Sequence, residues 1–326
     1  MPINEVRNTV LAIANKNNYG YISPADFNLY AQQAQMDMFE DYFYQYNNQI
    51  LKENLRQSGT GYADISKGLV EVIDTFYVNV PLLNNPGIIG ASSIAPNLYT
   101  MPSDYYLINK MLVYTNVLAS GTTTSINGGS IGVNDTTADF IAAGVAPGDI
   151  ASTVTNGVTY NTIVSTVISA TNLNVFTTPG VQVWNTFPKP YNIYSPNNIL
   201  EAERVAQSKI TMLNNSVLTK PNMGYPAYTQ NALFAEAFPI TINKIGQVTS
   251  QYVRYPLTPN WTYATLLGGE PLFDPTASDY QDFELPLSDE PMLIAKICQY
   301  VGLEIREKEV IEFGQNAEIM DNQQQQ

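Results

Sequence analysis

The chain has 326 residues, a net charge of −14 and a charged fraction of only 13%, about half the usual share. It contains no histidine and one cysteine, which excludes Ser-His-Asp and Cys-His mechanisms and intrachain disulfides, and removes the usual zinc and iron ligands. The 15 basic residues form no cluster, so specific nucleic-acid binding through phosphates is not expected, whereas 44% apolar residues suffice for a real core.

The start, Met1-Pro2-Ile3-Asn4-Glu5, has no signal-peptide pattern. No apolar run approaches the about 18 residues of a membrane span, so a soluble protein made in a cytoplasm is expected. Residues 4–15 read as a short helix with Val6, Val10, Leu11 and Ile13 on its apolar side. After a turn at residues 17–20, Ser23-Pro24-Ala25-Asp26 is a strong helix start: Ser23 caps, Pro24 fits the first turn, and Asp26 completes a capping box. From Pro24 to about Gln57 the chain has no Pro or Gly. A helix of that length spans roughly 50 Å at about 1.5 Å per residue. Phe27, Tyr30, Ala31, Ala34 and Met38 share one face, and Phe39, Phe43, Tyr46 and Ile50 continue the stripe.

Residues 69–80 fit either a strand or a short helix, and residues 81–98 read as loop. Tyr105 to Tyr114 is an aromatic strand candidate. From Leu118 to Thr186 the composition shifts to Thr, Ser, Gly, Val and Asn, with almost no Lys or Arg. Ala146-Pro147-Gly148-Asp149 is a turn, Thr155-Asn156-Gly157-Val158 is a hairpin signal, and residues 163–168 and 173–176 are strands. Glu201 to about Leu213 reads as helix with Val205, Ile210 and Leu213 inward; residues 238–266 alternate strands and Pro turns. Ser288-Asp289-Glu290-Pro291 starts another helix, with Leu293, Ile294, Ile297 and Val301 on one side and Gly302 ending it. Cys298 lies within it as a small buried hydrophobe. A last helix is expected from about Arg306 to Met320, with Val310, Phe313, Ala317 and Met320 as its apolar stripe, before a Gln tail.

These elements imply an α+β protein. The expected host domain, residues 1–117 and 187–326, is helical, with a long N-terminal helix and C-terminal helices. Residues 118–186 are expected to form an inserted small all-β domain, a barrel or sandwich. The terminal helix is expected to dock through Val310, Phe313, Ala317 and Met320 on a neighbouring subunit, and Trp261 to serve an interface, because Tyr and Trp are enriched there.

Motifs for chemistry are weak. Asn15 to Asp26 has the length of a calcium loop, with Gly20 sixth, Ile22 eighth and Asp26 twelfth. Its first, third and fifth positions are Asn15, Asn17 and Tyr19, which supply no carboxylate to a hard dication. Gly128-Gly129-Ser130-Ile131-Gly132 matches a nucleophile elbow but lacks the following helix and any histidine. The acids Asp279, Asp282, Glu284, Asp289 and Glu290 read as a solvated surface, with glycosidic cleavage by a carboxylate pair as the competing use. No phosphate-binding or dinucleotide fingerprint is present. No cofactor, metal or catalytic residue is expected.

Three segments carry a resemblance to a known family. Gly20-Tyr21-Ile22-Ser23-Pro24-Ala25-Asp26-Phe27-Asn28 with Gln32-Gln33-Ala34-Gln35 resembles the start of ring or adaptor-like proteins near the portal of podoviruses, those of crAss-like phages in particular. Asp135 to Phe140 and Gly144 to Ile150 resemble small β-domains of phage structural proteins. Glu290 to Gly302, then Val310 to Gln326, resembles the C-terminal segments of the same ring proteins. The resemblance covers about half the chain. It implies a virion structural protein, not an enzyme: a homo-oligomeric ring of about a dozen copies in the head–tail connector or tail barrel. Its neighbours would be the portal protein and adjacent ring or tail proteins, with DNA as a passing, weakly bound cargo and no membrane contact. The competing readings are a head decoration or fibre-attachment protein, and a glycan-binding or glycan-cleaving tail protein.

Overall fold

The computed structural model of the protein describes residues 1–14, 22–54, 65–85, 87–89, 93–125, 132–176, 183–184, 187–231, 233–266, 268 and 270–305. In chain order the elements are α1 (Ile3–Ala14), α2 (Pro24–Asn54), α3 (Ile65–Asp74), β1 (Tyr77–Pro81), β2 (Leu83–Asn84), β3 (Gly87–Ile89), β4 (Ser93–Ala95), β5 (Leu98–Thr100), β6 (Tyr105–Tyr114), β7 (Val117–Thr122), β8 (Gly132–Asn134), β9 (Ile150–Thr155), β10 (Val158–Ser169), β11 (Asn172–Val175), β12 (Pro190–Tyr194), β13 (Ile199–Arg204), α4 (Gln207–Asn215), β14 (Ala227–Gln230), β15 (Phe234–Phe238), β16 (Val248–Arg254), β17 (Tyr263–Thr265), β18 (Pro271–Phe273) and α5 (Glu290–Ile305).

Among the described residues the protein is mostly β, 35% strand against 29% helix. This overturns the α+β expectation of a helical host carrying a small all-β insert. Residues on both sides of 118–186 supply an eight-stranded sheet of their own. Its strands are short and several lack clean alternation, so period-2 patterning is weak. Ile199–Arg204 shows the difficulty: Ala202 is its one buried residue, and it reads as the start of a helix. In the structure those residues are β13, and the helix begins only at Gln207.

The chain forms two compact units: Met1–Phe76 with Tyr255–Gln326, and Tyr77–Arg254. The first is mainly helical, with the two-stranded β17–β18 ladder. Asp26 N–H donates to Ser23 Oγ at 3.2 Å, and the Ser23 hydroxyl donates back to the Asp26 carboxylate, so the cap expected at Ser23 starts α2. Phe27, Ala31, Ala34, Met38 and Phe39 are buried along one side of α2. Phe39 stands edge-on to Phe43 and Phe76, with centroids 5.1 and 5.0 Å away. Helix α3 packs on α2, and α5 packs on both α1 and α2. Leu293, Ile297 and Val301 of α5 are fully buried. The helix continues through Gly302 to Ile305 rather than ending at the glycine.

Cys298 is completely buried in α5, and desolvation pushes its thiol up to about 11. A native sample should therefore resist alkylation by iodoacetamide at pH 8, and react fully once unfolded in urea; rapid native labelling would contradict this burial.

The second unit holds two large sheets, besides the two-stranded β3–β4 ladder. In the first the strand order is β1-β16-β6-β13-β14-β15-β5-β2. Only its β13–β14 pair runs parallel, joined through α4. The strands at its two ends, β1 and β2, are separated along the chain by Leu82 alone. The sheet must therefore curl until its edges nearly meet, and eight strands enclose an interior that side chains fill. Leu82, Tyr99, Met111, Val113, Ala235, Ile242 and Val248 are among the residues buried there.

The second sheet, β7-β12-β9-β10-β11-β8, is a half-barrel over Phe140, Val164, Leu173, Trp184, Tyr191 and Ile193. Its β9–β10 hairpin turns at Asn156 and Gly157, with φ of 52° and 76°. These positive values are what the Asn-Gly signal predicts. Asp149 N–H reaches Ala146 O at 3.1 Å with Gly148 at φ 100°, so the expected turn at residues 146–149 is present. The β15–β16 loop ties the two sheets together. The carbonyl of Ile245 accepts from Tyr194 Oη at 2.7 Å and Asn192 Nδ2 at 3.2 Å, and that of Lys244 from Tyr99 Oη at 3.2 Å.

Candidate functional site

The chain's amides, tyrosines and carboxylates are the groups available for chemistry or for contacts. In the helical unit the polar side of α2 forms a seam with the extended segment around Leu257–Glu284. Asn28 accepts from the N–H of Trp261 at 2.9 Å and donates to Asn260 Oδ1 at 2.8 Å. Further along the same helix, the buried Gln35 donates to Leu257 O at 2.8 Å and accepts from Glu284 N–H at 3.1 Å. Buried backbone groups need partners; here two helix amides supply them to a stretch with little regular structure.

Trp261, expected at an interface, is 2% exposed. Its indole N–H donates to Asn4 Oδ1 at 3.0 Å, and the Arg7 guanidinium lies 3.9 Å from its ring centroid. Tyr263 and Phe273 stack on it with centroids 5.7 Å away. Beside this cluster a shallow pocket of about 400 Å³ is lined by Ala25, Asn28, Leu29, Gln32, Pro259 and Asp279, among others. Leu29 is 62% exposed at its mouth.

The acids considered for glycosidic cleavage are largely engaged within the fold. Asp282 Oδ1 accepts from Ile3 N–H at 2.8 Å and Tyr280 Oη at 2.7 Å; Glu284 from Leu257 N–H at 2.7 Å; Asp279 from Asn260 Nδ2 at 3.1 Å; and Asp289 from Tyr42. Among the described residues no group of three or more Asp, Glu or Cys side chains is arranged to hold a metal.

In the half-barrel, the carboxylate of buried Asp135 accepts from Tyr191 Oη at 2.8 Å, and from the N–H and hydroxyl of Thr137 at 2.9 and 2.6 Å. A Cβ on Gly121 would lie 2.5 Å from this carboxylate, so only glycine leaves room for the pair. Burial acts to raise the Asp135 pKa, but the three donors outweigh it and hold the carboxyl below its ordinary value. Buried Lys189 donates to Thr155 Oγ1 at 2.7 Å and to the Val183 carbonyl, and desolvation lowers its pKa.

The Asp135 arrangement makes a pH prediction. A carboxyl with a depressed folded-state pKa stabilises above its unfolded value of about 3.9, and that stability is lost as pH falls through the folded pKa. Tyr191→Phe should cost about 1.5–3 kcal/mol at pH 7, the size of a hydrogen bond to a charged group. Urea melts from pH 7 to pH 2 should show the variant losing less stability to acid than the wild type; parallel pH curves would contradict the role given to this pair.

Val310, Phe313, Ala317 and Met320 lie outside the described residues, as do Asn15, Asn17, Tyr19 and Gly20 of the calcium-like loop and Gly128–Ile131 of the elbow-like run. Gly132 is in β8. Among the described residues the most exposed large apolar side chains follow α4, where no site is expected: Val217 is 97% and Leu218 95% exposed. A sequence signal is present there, since residues 205–235 contain no acid.

The chain matches no protein-family model, and a search of curated proteins finds no match. Among the described residues no helix is long and apolar enough to cross a membrane.

Proposed function

We propose that this chain is a structural subunit of a phage virion. About a dozen copies form a ring in the head–tail connector or tail barrel, coaxial with the portal, around a conduit for DNA or ejected cargo. The observation that carries the reading is the resemblance of residues 20–35 and of the C-terminal segment to ring proteins of crAss-like phages. Charge supports it. A chain with 29 acids and 15 scattered bases is acidic overall, so it repels a phosphate backbone and lets it pass. The polar groups described above also favour architecture over turnover, since they complete the fold's own hydrogen bonds. The portal and neighbouring ring or tail proteins are its partners in this reading, and DNA is cargo only.

Electron microscopy of the purified protein and of virions is the test. The expected images show a closed ring of about a dozen copies on the tail axis. A capsid-wide lattice would replace the reading with a head decoration protein, and cleavage of a host polysaccharide with a glycan-active tail protein. The melting temperature should also rise with protein concentration, as binding between folded copies requires.

A further inference from the structure

The loop between α4 and β14 presents an unusual surface. Val217 and Leu218 are almost fully exposed, and Tyr225 and Met212 are 82% and 75% exposed. Apolar side chains placed together at the surface mark interaction sites. The charge around them is reversed relative to the rest of the chain. From Arg204 to Ala235 there are three bases, Arg204, Lys209 and Lys220, and no acid, in a protein with nearly twice as many acids as bases. All three bases are exposed.

We propose that this loop is an arm that docks on a second copy of the chain, with Val217 and Leu218 entering the pocket beside α2 and Lys220 facing Asp279. The pocket has the complementary chemistry. Leu29, Ala25 and Pro259 offer apolar surface, and Asp279 supplies an exposed acid at the rim. Its volume of about 400 Å³ admits side chains and lies at the small end of ligand pockets. The occupant is another copy because this chain carries both halves in equal number, and because its acidic excess favours a basic arm from a like subunit over self-repulsion. Knob and hole are different patches, so the contact is heterologous, the type from which rings and filaments are built. The inference deepens the ring reading and rests on it for the closure of the contacts.

The test uses the full chain. V217D/L218D should leave the melting curve of dilute, monomeric protein unchanged, because neither side chain is packed. It should weaken self-association by at least about tenfold in sedimentation velocity. K220E should weaken it too, and D279K combined with K220E should restore it. With Leu218→Cys and Leu29→Cys together, a bismaleimide should give a covalent ladder of multimers, and neither single variant should do so. Native Cys298 is buried and does not interfere. Assembly of V217D/L218D at wild-type affinity, absence of the ladder, or failure of wild-type protein to self-associate would each overturn the arm. If the ladder forms but micrographs show filaments or a lattice, the arm stands and the ring reading fails. Normal rings from V217D/L218D would sink the arm and leave the ring reading standing.

Discussion

Replacing Gly246 by alanine should destabilise the β unit by about 2–5 kcal/mol. Gly246 sits at φ 70° in the loop that ties the two sheets together, a conformation that costs a residue with a Cβ about 1–2 kcal/mol. The added Cβ would also stand 2.3 Å from the Cβ and Oγ of Ser152 and 2.6 Å from Asn161 Oδ1. Overpacking of that kind costs roughly 1–3 kcal/mol more. Gly157→Ala is the control: its φ is 76°, but nothing lies within 4 Å of the new Cβ, so only the backbone cost applies. Urea unfolding followed by the fluorescence of Trp184, which is buried in the half-barrel, should separate the two variants by more than about 1 kcal/mol. Equal midpoints would mean that the loop does not press on Ser152.

Trp261→Ala is expected to cost the helical unit about 3–5 kcal/mol, the range for truncating a buried large aromatic. The substitution removes a ring stacked by Tyr263 and Phe273, the partner of the Arg7 guanidinium, and the donor to Asn4. Helical circular dichroism should be lost at lower urea than in the wild type, while Trp184 fluorescence keeps its own midpoint. The loss should be the same at every protein concentration. A loss seen only in assembled protein would instead make Trp261 an interface residue.

Local signals are legible where one or two residues decide the outcome. Ser23 and Asp26 cap α2, Asn156-Gly157 turns the β9–β10 hairpin, and Pro147-Gly148 makes the turn before β9. The periodic stripes of α2 and α5 are legible because long helices repeat their pattern several times. The eight-stranded sheet is not, because its ladders join residues far apart, such as Tyr77 with Val253 and Phe234 with Thr100. Nothing local in β2 or β5 announces such partners. The polar residues are illegible for a related reason. Asn and Gln carry no local sign of their partners, yet Asn28, Gln35, Asn97 and Gln247 bond groups 133 to 249 residues away within the subunit. Composition alone cannot tell an amide turned outward from one that completes an irregular interior. The pocket beside α2 likewise joins residues 25–32 to 258–279, a juxtaposition that no spacing rule reveals.

The first and last strands of the β unit, β1 and β16, are antiparallel neighbours from Tyr77↔Val253 to Pro81↔Thr249. The chain therefore leaves the helical unit after Phe76 and returns at Tyr255 through two points a few ångströms apart. A segment whose ends meet can be removed, swapped or enlarged through a short splice without lengthening the frame that carries it. Genetic exchange among relatives could thus replace the whole of Tyr77–Arg254 as a cassette. An engineer can use the same two positions to graft a foreign domain, with the β1–β16 pair kept as the stem.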